Sequence, residues 1–319
     1  MLAELKFVMG AVSKKDLIPS MAHFAIDGGR VRAYNGVVAL CSPIALDLEC
    51  KPRAEPMVRA IGHCSETVTL ARTPAGKLSI KSGTFRALIE CLPDEQVTPH
   101  VEPEGDVVEI NGAALLEAFK ACSPFVGNDA SRAFSNGILL KEGSAFATNN
   151  VMAVQYWVGH ALPHVVNIPM KCVQEMVRID EAPVSALFAA NSITFHYTGD
   201  RWIRTQLLNV EWPDITKILD RESNATPIDK ELFAAIAKVK PFLDKYGRIY
   251  FHEGAVSTHA DHSEGTYVEI PGFANAGIYR HEYLALLEDT AERIDWTTYP
   301  DPCMFFAPRL RGAIIGVHK

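Results

Sequence analysis

The sequence predicts an α+β protein made of three tandem copies of one unit, each with two helices backed by antiparallel strands. The first observation is a repeated phrase. Residues 147–154, ATNNVMAV, nearly copy residues 33–40, AYNGVVAL, at an offset of 147 − 33 = 114. The second observation is that the same order of apolar patterns surrounds both phrases, and a more diverged third set follows. Units of about 100 residues are far longer than a solenoid period, so each is expected to own its core and behave as a domain.

The first copy opens on LAELKFVMGAV (2–12), whose apolar residues recur at helical spacing. HFAIDGGRVRAYNGVVAL (23–40) alternates apolar and polar residues around a Gly-bearing turn, which reads as a hairpin. A second helix and closing strands are expected over residues 55–92, where KLSIKSG is a strand entering a turn. In the second copy, GAALLEAFKACSPFV (112–126) places Leu115, Leu116, Phe119 and Cys122 on one helical face. GILLKEGSAFATNNVMAV (137–154) is its hairpin, and residues 170–208 supply a helix and strands that include SITFHYTGD. The third copy runs through a helix at 229–243, a hairpin at 247–260, a helix at 281–294 and closing strands at 303–317. PHVEPEGD (99–106) and DRESNATPID (220–229) have the polar, proline-bearing composition of linkers. The expected domains are therefore 1–105, 106–222 and 223–319.

With 48% apolar residues in 319, the chain can fill a core in each copy. No apolar run approaches the roughly 18 residues that cross a bilayer. Lys14 and Lys15 follow the opening apolar stretch, the reverse of a secretory signal, so a cytoplasmic protein without membrane contact is expected. Seven cysteines, an odd number with no C-x-x-C pair, argue against a disulfide framework or a zinc knuckle. A net charge of −7 gives no global attraction to nucleic acid, so any DNA contact must come from a local basic surface.

Catalytic signatures are absent. The chain contains no G-x-x-x-x-G-K-[ST], no G-x-G-x-x-G and no G-x-S-x-G, which removes the marks of nucleotide hydrolysis, dinucleotide binding and the serine-hydrolase elbow. Two clusters remain as alternatives. His252, His259, Asp261 and His262 could hold a metal, although their spacing matches no standard set and a polar hairpin tip accounts for them equally. Cys172 with His164 could form a nucleophile and base, although Cys172 sits in an apolar helical register where cysteine usually packs.

Residues 134–219 carry a closer resemblance. FSNGILLKEGSAFATNNVMAV, VVNIPMKCVQEMVRI and ANSITFHYTGDRWIRTQLLNVEWPDITKIL are similar, almost phrase by phrase, to the second domain of the bacterial and phage DNA polymerase sliding clamps. The first and third copies resemble that family by pattern. The resemblance implies three clamp domains per subunit and two subunits closed head to tail into a ring. That ring encircles double-stranded DNA without sequence preference, as a non-enzymatic processivity factor with no cofactor.

A sliding ring needs Lys and Arg on the helices that face its hole. On this resemblance the DNA-facing residues are Lys6, Lys14, Lys15, Arg53, Arg59, Lys120, Lys171, Arg178, Lys238 and Lys240, although each taken singly also fits an ordinary solvated helix face. Peptides of the DNA polymerase and the clamp loader would enter a cleft of Thr148, Met152, Pro213, Ile218, Tyr283, Ile315 and Val317. Core packing is the competing reading of Met152 and Ile218. The homodimer interface would set Phe242 and Leu243 against Ala87 and Ile89. Two departures bear on peptide choice. The family's usual Ala-Thr-Asp-Gly-His-Arg-Leu is here Ala147-Thr-Asn-Asn-Val-Met, and the tail ends Ile-Gly-Val-His-Lys. A monomeric clamp-like regulator that captures such peptides without encircling DNA is the alternative.

Overall fold

The repeated phrase is one turn built twice. The computed structural model describes residues 1–14, 18–99 and 101–318. Asn35 Oδ1 accepts from the backbone N–H groups of Val37 at 3.1 Å and Val38 at 3.0 Å. Asn149 Oδ1 accepts from those of Val151 at 3.1 Å and Met152 at 2.7 Å. The next residue is left-handed in both, Gly36 at φ 92° and Asn150 at φ 71°, a region that glycine and asparagine enter most cheaply. The asparagine side chain thus replaces turn contacts that the backbone alone would leave open.

In chain order the first copy contains α1 (Leu2–Val8), β1 (Ala25–Asp27), β2 (Arg30–Tyr34), β3 (Val38–Pro43), α2 (Ala54–Gly62), β4 (Thr69–Arg72), β5 (Leu78–Ser82) and β6 (Phe85–Ile89). The second contains β7 (Asp106–Val108), α3 (Gly112–Cys122), β8 (Gly137–Lys141), β9 (Ser144–Thr148), β10 (Met152–Trp157), β11 (Val166–Pro169), α4 (Met170–Ile179), β12 (Ser185–Phe188), β13 (Ser192–Tyr197), β14 (Arg201–Gln206) and the short α5 (Thr216–Leu219). The third contains β15 (Thr226–Pro227), α6 (Lys230–Val239), β16 (Arg248–His252), β17 (Ala255–Ser257), β18 (Tyr267–Glu269), β19 (Gly277–Arg280), α7 (His281–Thr290), β20 (Arg293–Ile294), β21 (Cys303–Ala307) and β22 (Leu310–Ile314). None of these helices is long and apolar enough to cross a membrane.

Each expected opening hairpin of the first two copies is a three-strand meander, because the Gly-bearing turn at 28–29 and the Asn turn at 35–37 both reverse the chain. The helices end earlier than the apolar pattern suggests. Asp229 caps α6 by accepting from Glu231 N–H at 2.8 Å, and Pro241 lies in the 3₁₀ turn that closes it.

The chain divides into two compact units, Met1–Leu116 with Lys171–Asn209, and Glu117–Met170 with Val210–Lys319. The division passes through the middle copy because its strands pair outward. In the first unit a seven-stranded sheet has the order β1-β2-β3-β14-β13-β12-β7, and β4-β5-β6 form a separate sheet. The strand leaving the Asn35 turn, β3, pairs antiparallel with β14 of the second copy. In the second unit the order is β11-β8-β9-β10-β22-β21-β20-β15, with a four-stranded sheet β18-β17-β16-β19. The strand leaving the Asn149 turn, β10, pairs with β22 of the third copy. One idiom therefore builds the joint between neighbouring copies twice.

The helices cover one face of these sheets. Leu5, Phe7 and Val8 of α1 are buried in the first unit, as are Met57 and Ile61 of α2. In the second unit Leu232, Phe233, Ile236 and Val239 of α6 are buried, and Phe251 lies 5.1 Å from Tyr279 and 5.2 Å from Trp296 between ring centroids.

Candidate functional site

The opposite face of the eight-stranded sheet carries an apolar patch of Leu139, Phe146, Ala153, Met304 and Ala313. The segment after β14 crosses this patch and anchors through Ile215 and Leu219. Asp214 starts α5 by accepting from Thr216 Oγ1 at 2.5 Å and Thr216 N–H at 3.2 Å, and the hydroxyl contact holds its carboxyl below the usual range. The crossing leaves a pocket of about 200 Å³ beside it, lined by Thr148, Met152, Pro213, Ile218 and Ile315. A second pocket of about 340 Å³ lies against the same Pro213–Ile215 segment, with Trp212, Leu139 and Val165 in its wall. The Trp212 and Phe134 rings, one lining each pocket, meet edge to face at 5.6 Å.

The Asn149 turn shapes the first pocket. Thr148 Oγ1 donates to the Met152 carbonyl at 2.7 Å and accepts from Asn150 N–H at 3.1 Å, so its methyl group is left to the pocket. Ile315 N–H donates to the Val151 carbonyl at 2.9 Å, which extends the β22 edge of the wall. Met152 is only 1% exposed, whereas Ile218 and Ile315 are half-buried. Five of the seven residues expected from sequence therefore line one cavity. Tyr283 and Val317 do not. Val317 is engaged inside the third copy, donating its N–H to the Ile278 carbonyl at 2.6 Å and accepting from the Tyr299 hydroxyl at 2.8 Å. Sequence reading missed Arg132, Phe134, Ile215 and Ala313 in the same wall. Phe134 and Ile215 had a signal, the first opening the strand phrase FSNGILL and the second lying between Pro213 and Ile218 in WPDITKIL.

The basic residues fall in both units. Lys6, Lys14, Arg53, Arg59 and Lys171 are exposed in the first, and Lys14 and Arg53 border one cavity there. Arg59 pairs with Glu55 at 2.7 Å. Lys120, Lys238 and Lys240 are exposed in the second unit. Lys15 lies outside the described residues. Arg178 differs from the rest: it pairs with Glu175 at 2.5 Å and donates to the carbonyls of Phe7 at 2.9 Å and Lys6 at 3.3 Å. Its guanidinium joins α4 to the end of α1.

At the expected interface the strand register corrects one residue. Along β6 the pleat turns Ile89 inward at 5% exposure and Leu88 outward at 50%. Ala87 is half-buried. On the other side Phe242 is 62% exposed, Leu243 is half-buried, and Tyr246, 50% exposed, is flanked by Lys245 and Arg248 at 4.9 and 4.7 Å from its ring centroid.

Among the described residues no group of three or more His, Cys, Asp or Glu is placed to hold a metal, and His262 has no described side chain. His252 Nε2 lies 3.0 Å from Ser257 Oγ within its hairpin. Cys172 is fully buried, and burial pushes its thiol far up, away from the thiolate that a nucleophile needs.

No protein-family model and no curated protein matches the sequence. Solved structures do. The chain is similar to the DNA polymerase III subunit beta sliding clamp of Pseudomonas aeruginosa bound to griselimycin, at TM-score 0.81 and 18% identity, over 100% of this chain and 97% of that one. It is similar to the DNA polymerase sliding clamp of Caulobacter crescentus, at TM-score 0.82 and 15% identity, with the same coverage. The beta subunit of Streptococcus pyogenes DNA polymerase gives TM-score 0.81 and 15% identity, again over 100% and 97%. At these identities the likeness establishes the fold: the chain has the α+β fold of the bacterial sliding clamps across its whole length.

Proposed function

We propose that the protein is a DNA polymerase sliding clamp, a non-enzymatic processivity factor that encircles duplex DNA as a head-to-tail homodimer and tethers the polymerase through the pocket at Met152. The observation that carries the reading is the full-length fold match, with three copies joined strand to strand and the sliding-clamp structures covered over 97% of their chains. The domain boundaries 1–105, 106–222 and 223–319 belong to this proposal.

The strand pairing supports ring closure. The closing strand of the second copy, β14, is covered by β3, and that of the third copy, β22, is covered by β10. Their counterpart in the first copy, β6, pairs only with β5 among the described residues. An open edge bearing an exposed Leu88 is a liability that the third domain of a second subunit would remove. Leu88 would then meet Phe242 and Leu243, while Ala87 shares the inward face of Ile89. Exposed lysines of the helices would hold phosphates without reading bases, which suits sliding on DNA by a chain of net charge −7. The pocket would take an apolar anchor of a polymerase or loader peptide.

Light scattering at micromolar concentration, paired with retention on closed versus linearised circular DNA, tests the reading. A dimer that stays on closed circles and runs off after linearisation is expected. A monomer, or equal loss from both DNA forms, overturns it.

A further inference from the structure

We infer that the outer face of the seven-stranded sheet is a second peptide-docking surface, specific for an extended acidic segment and occupied in cis by the chain's own linker at residues 101–104.

The face is the repeat-related counterpart of the one bearing the Met152 pocket. Ala153 lies in that pocket, and 153 − 114 = 39 is Ala39, buried at the centre of the face in question. There Ala39, Cys41 and Trp202 form an apolar cluster on which Tyr34 and Val101 pack. Cross-strand pairing places Arg32 opposite Cys41, and Arg204 opposite Ala39, so guanidinium groups flank the cluster on both sides. The linker supplies the matching groups. Glu102 pairs with Arg32 at 2.6 Å, and Glu104 pairs with Arg204 and accepts from Ser192 Oγ at 2.9 Å. One apolar residue in a shallow patch with acidic residues on adjacent arginines is the chemistry of a bound peptide.

Two features show that this occupant is a loose one. The carboxylates of Glu102 and Glu104 are 47% and 58% exposed, which leaves both pairs screened by solvent and salt. Beneath them Thr194 Oγ1, His196 Nε2 and Arg204 Nε are buried without a hydrogen-bond partner among the described residues. Thr194 lies opposite Arg204 and His196 opposite Trp202, so all three atoms belong to residues of the covered face. Buried polar groups are normally satisfied. The linker therefore leaves recognition capacity unused, and a partner segment of the form apolar–acidic–x–acidic with further polar side chains can compete for it.

The test uses the full chain and a fluorescein-labelled synthetic peptide of sequence HVEPEGDV. Weakening the cis occupant with Glu102→Gln plus Glu104→Gln removes a competitor held at an effective concentration on the order of millimolar, so the peptide is expected to bind that variant at least about tenfold more tightly than the wild-type protein. Site-specific alkylation of Cys41, read by mass spectrometry, is expected to rise in the same variant and to fall again when peptide is added. Adding Arg32→Gln and Arg204→Gln should abolish peptide binding. Three results overturn the inference: no binding to the Gln variant at millimolar peptide, undiminished binding after loss of both arginines, or unchanged Cys41 alkylation. Should the Gln variant fail to fold by circular dichroism, two peptides on the wild-type protein decide: HVQPQGDV is expected to bind more weakly than HVEPEGDV, and equal binding of the two excludes the acidic-peptide reading. None of these readouts involves DNA or polymerase, so they stand apart from the clamp proposal.

Discussion

The guanidinium of Arg178 lies 2.9 Å from the carbonyl oxygen of Phe7, so a residue on the fourth helix closes the end of the first. The last carbonyls of a helix lack intrahelical donors, and a cation placed there satisfies them and opposes the helix dipole. The neighbouring Glu175 carboxylate packs against Gly10 so closely that a Cβ there would sit 1.8 Å from Glu175 Oε2. Arg178→Ala should therefore destabilise the protein by about 1–2 kcal/mol, the range for charge-assisted hydrogen bonds discounted for partial exposure. Denaturant unfolding measures it, and a wild-type midpoint would remove the proposed joint. Gly10→Ala should cost less than Arg178→Ala, because the atoms it would meet are the flexible ends of Glu175 and Arg178, which can shift aside.

DNA contact is tested by salt dependence. Reversing Lys120 and Lys171, exposed residues on α3 and α4, should each lower the slope of log affinity against log salt by about 0.9. Arg178→Ala should leave the slope within error of wild type, since its guanidinium is engaged inside the protein. A slope insensitive to both lysines would show that these helices do not face phosphates.

In the pocket, exposure separates recognition from folding. Ile218 and Ile315 are half-buried, so truncating either to Ala should cost about 1–2 kcal/mol of affinity for a labelled Leu- and Phe-bearing peptide of a cognate polymerase, with stability nearly unchanged. Met152 is 1% exposed, and Met152→Ala should instead lower stability by about 2–5 kcal/mol. Fluorescence anisotropy and thermal melting on the same samples distinguish the two. Peptide binding unaffected by both isoleucine changes would dismiss the pocket.

Ring closure is tested with Leu88→Lys combined with Phe242→Lys, both outward-facing in the single chain. A folded monomer by light scattering is expected, with unchanged circular dichroism. Ile89→Lys, by contrast, should unfold the first copy because that side chain is buried beneath its own sheet. Persistence of a dimer in the double variant places the interface elsewhere.

The loop between β20 and β21 carries a pH dependence. Asp295 is 2% exposed, and burial raises its pKa, yet hydrogen bonds from Thr297, Asn224 and Ser223 outweigh burial and hold the carboxyl below its ordinary range. A depressed folded pKa contributes stability that is present above the unfolded value and lost as pH falls through the folded one. Wild-type stability should drop on acidification below about pH 4, and Asp295→Asn should flatten that drop while lowering stability at neutral pH. Parallel pH profiles for the two proteins would exclude Asp295 as a contributor.

The sequence by itself determined the repeat, the helix and strand order, and most of the pocket. ATNNVMAV and AYNGVVAL are legible because an Asx turn needs an asparagine and a left-handed residue at fixed positions, a local requirement written in adjacent letters. Thr148, Met152, Pro213, Ile218 and Ile315 were reachable through the resemblance to the sliding clamps, carried over position by position, and only Thr148 and Met152 of them belong to the Asn149 turn. Tertiary structure decided what depends on partners distant in sequence. It turned Arg178 toward the carbonyls of α1, carried Val317 into backbone pairing with Ile278, and set the β6 pleat so that Leu88, not Ile89, faces outward. It also laid Val101, Glu102 and Glu104 on Cys41, Arg32 and Arg204, where composition alone read a plain linker. A short polar stretch looks the same in sequence whether solvent or a sheet lies beneath it, because hydrogen-bonding capacity is written in residues but its satisfaction is set by contacts across the fold.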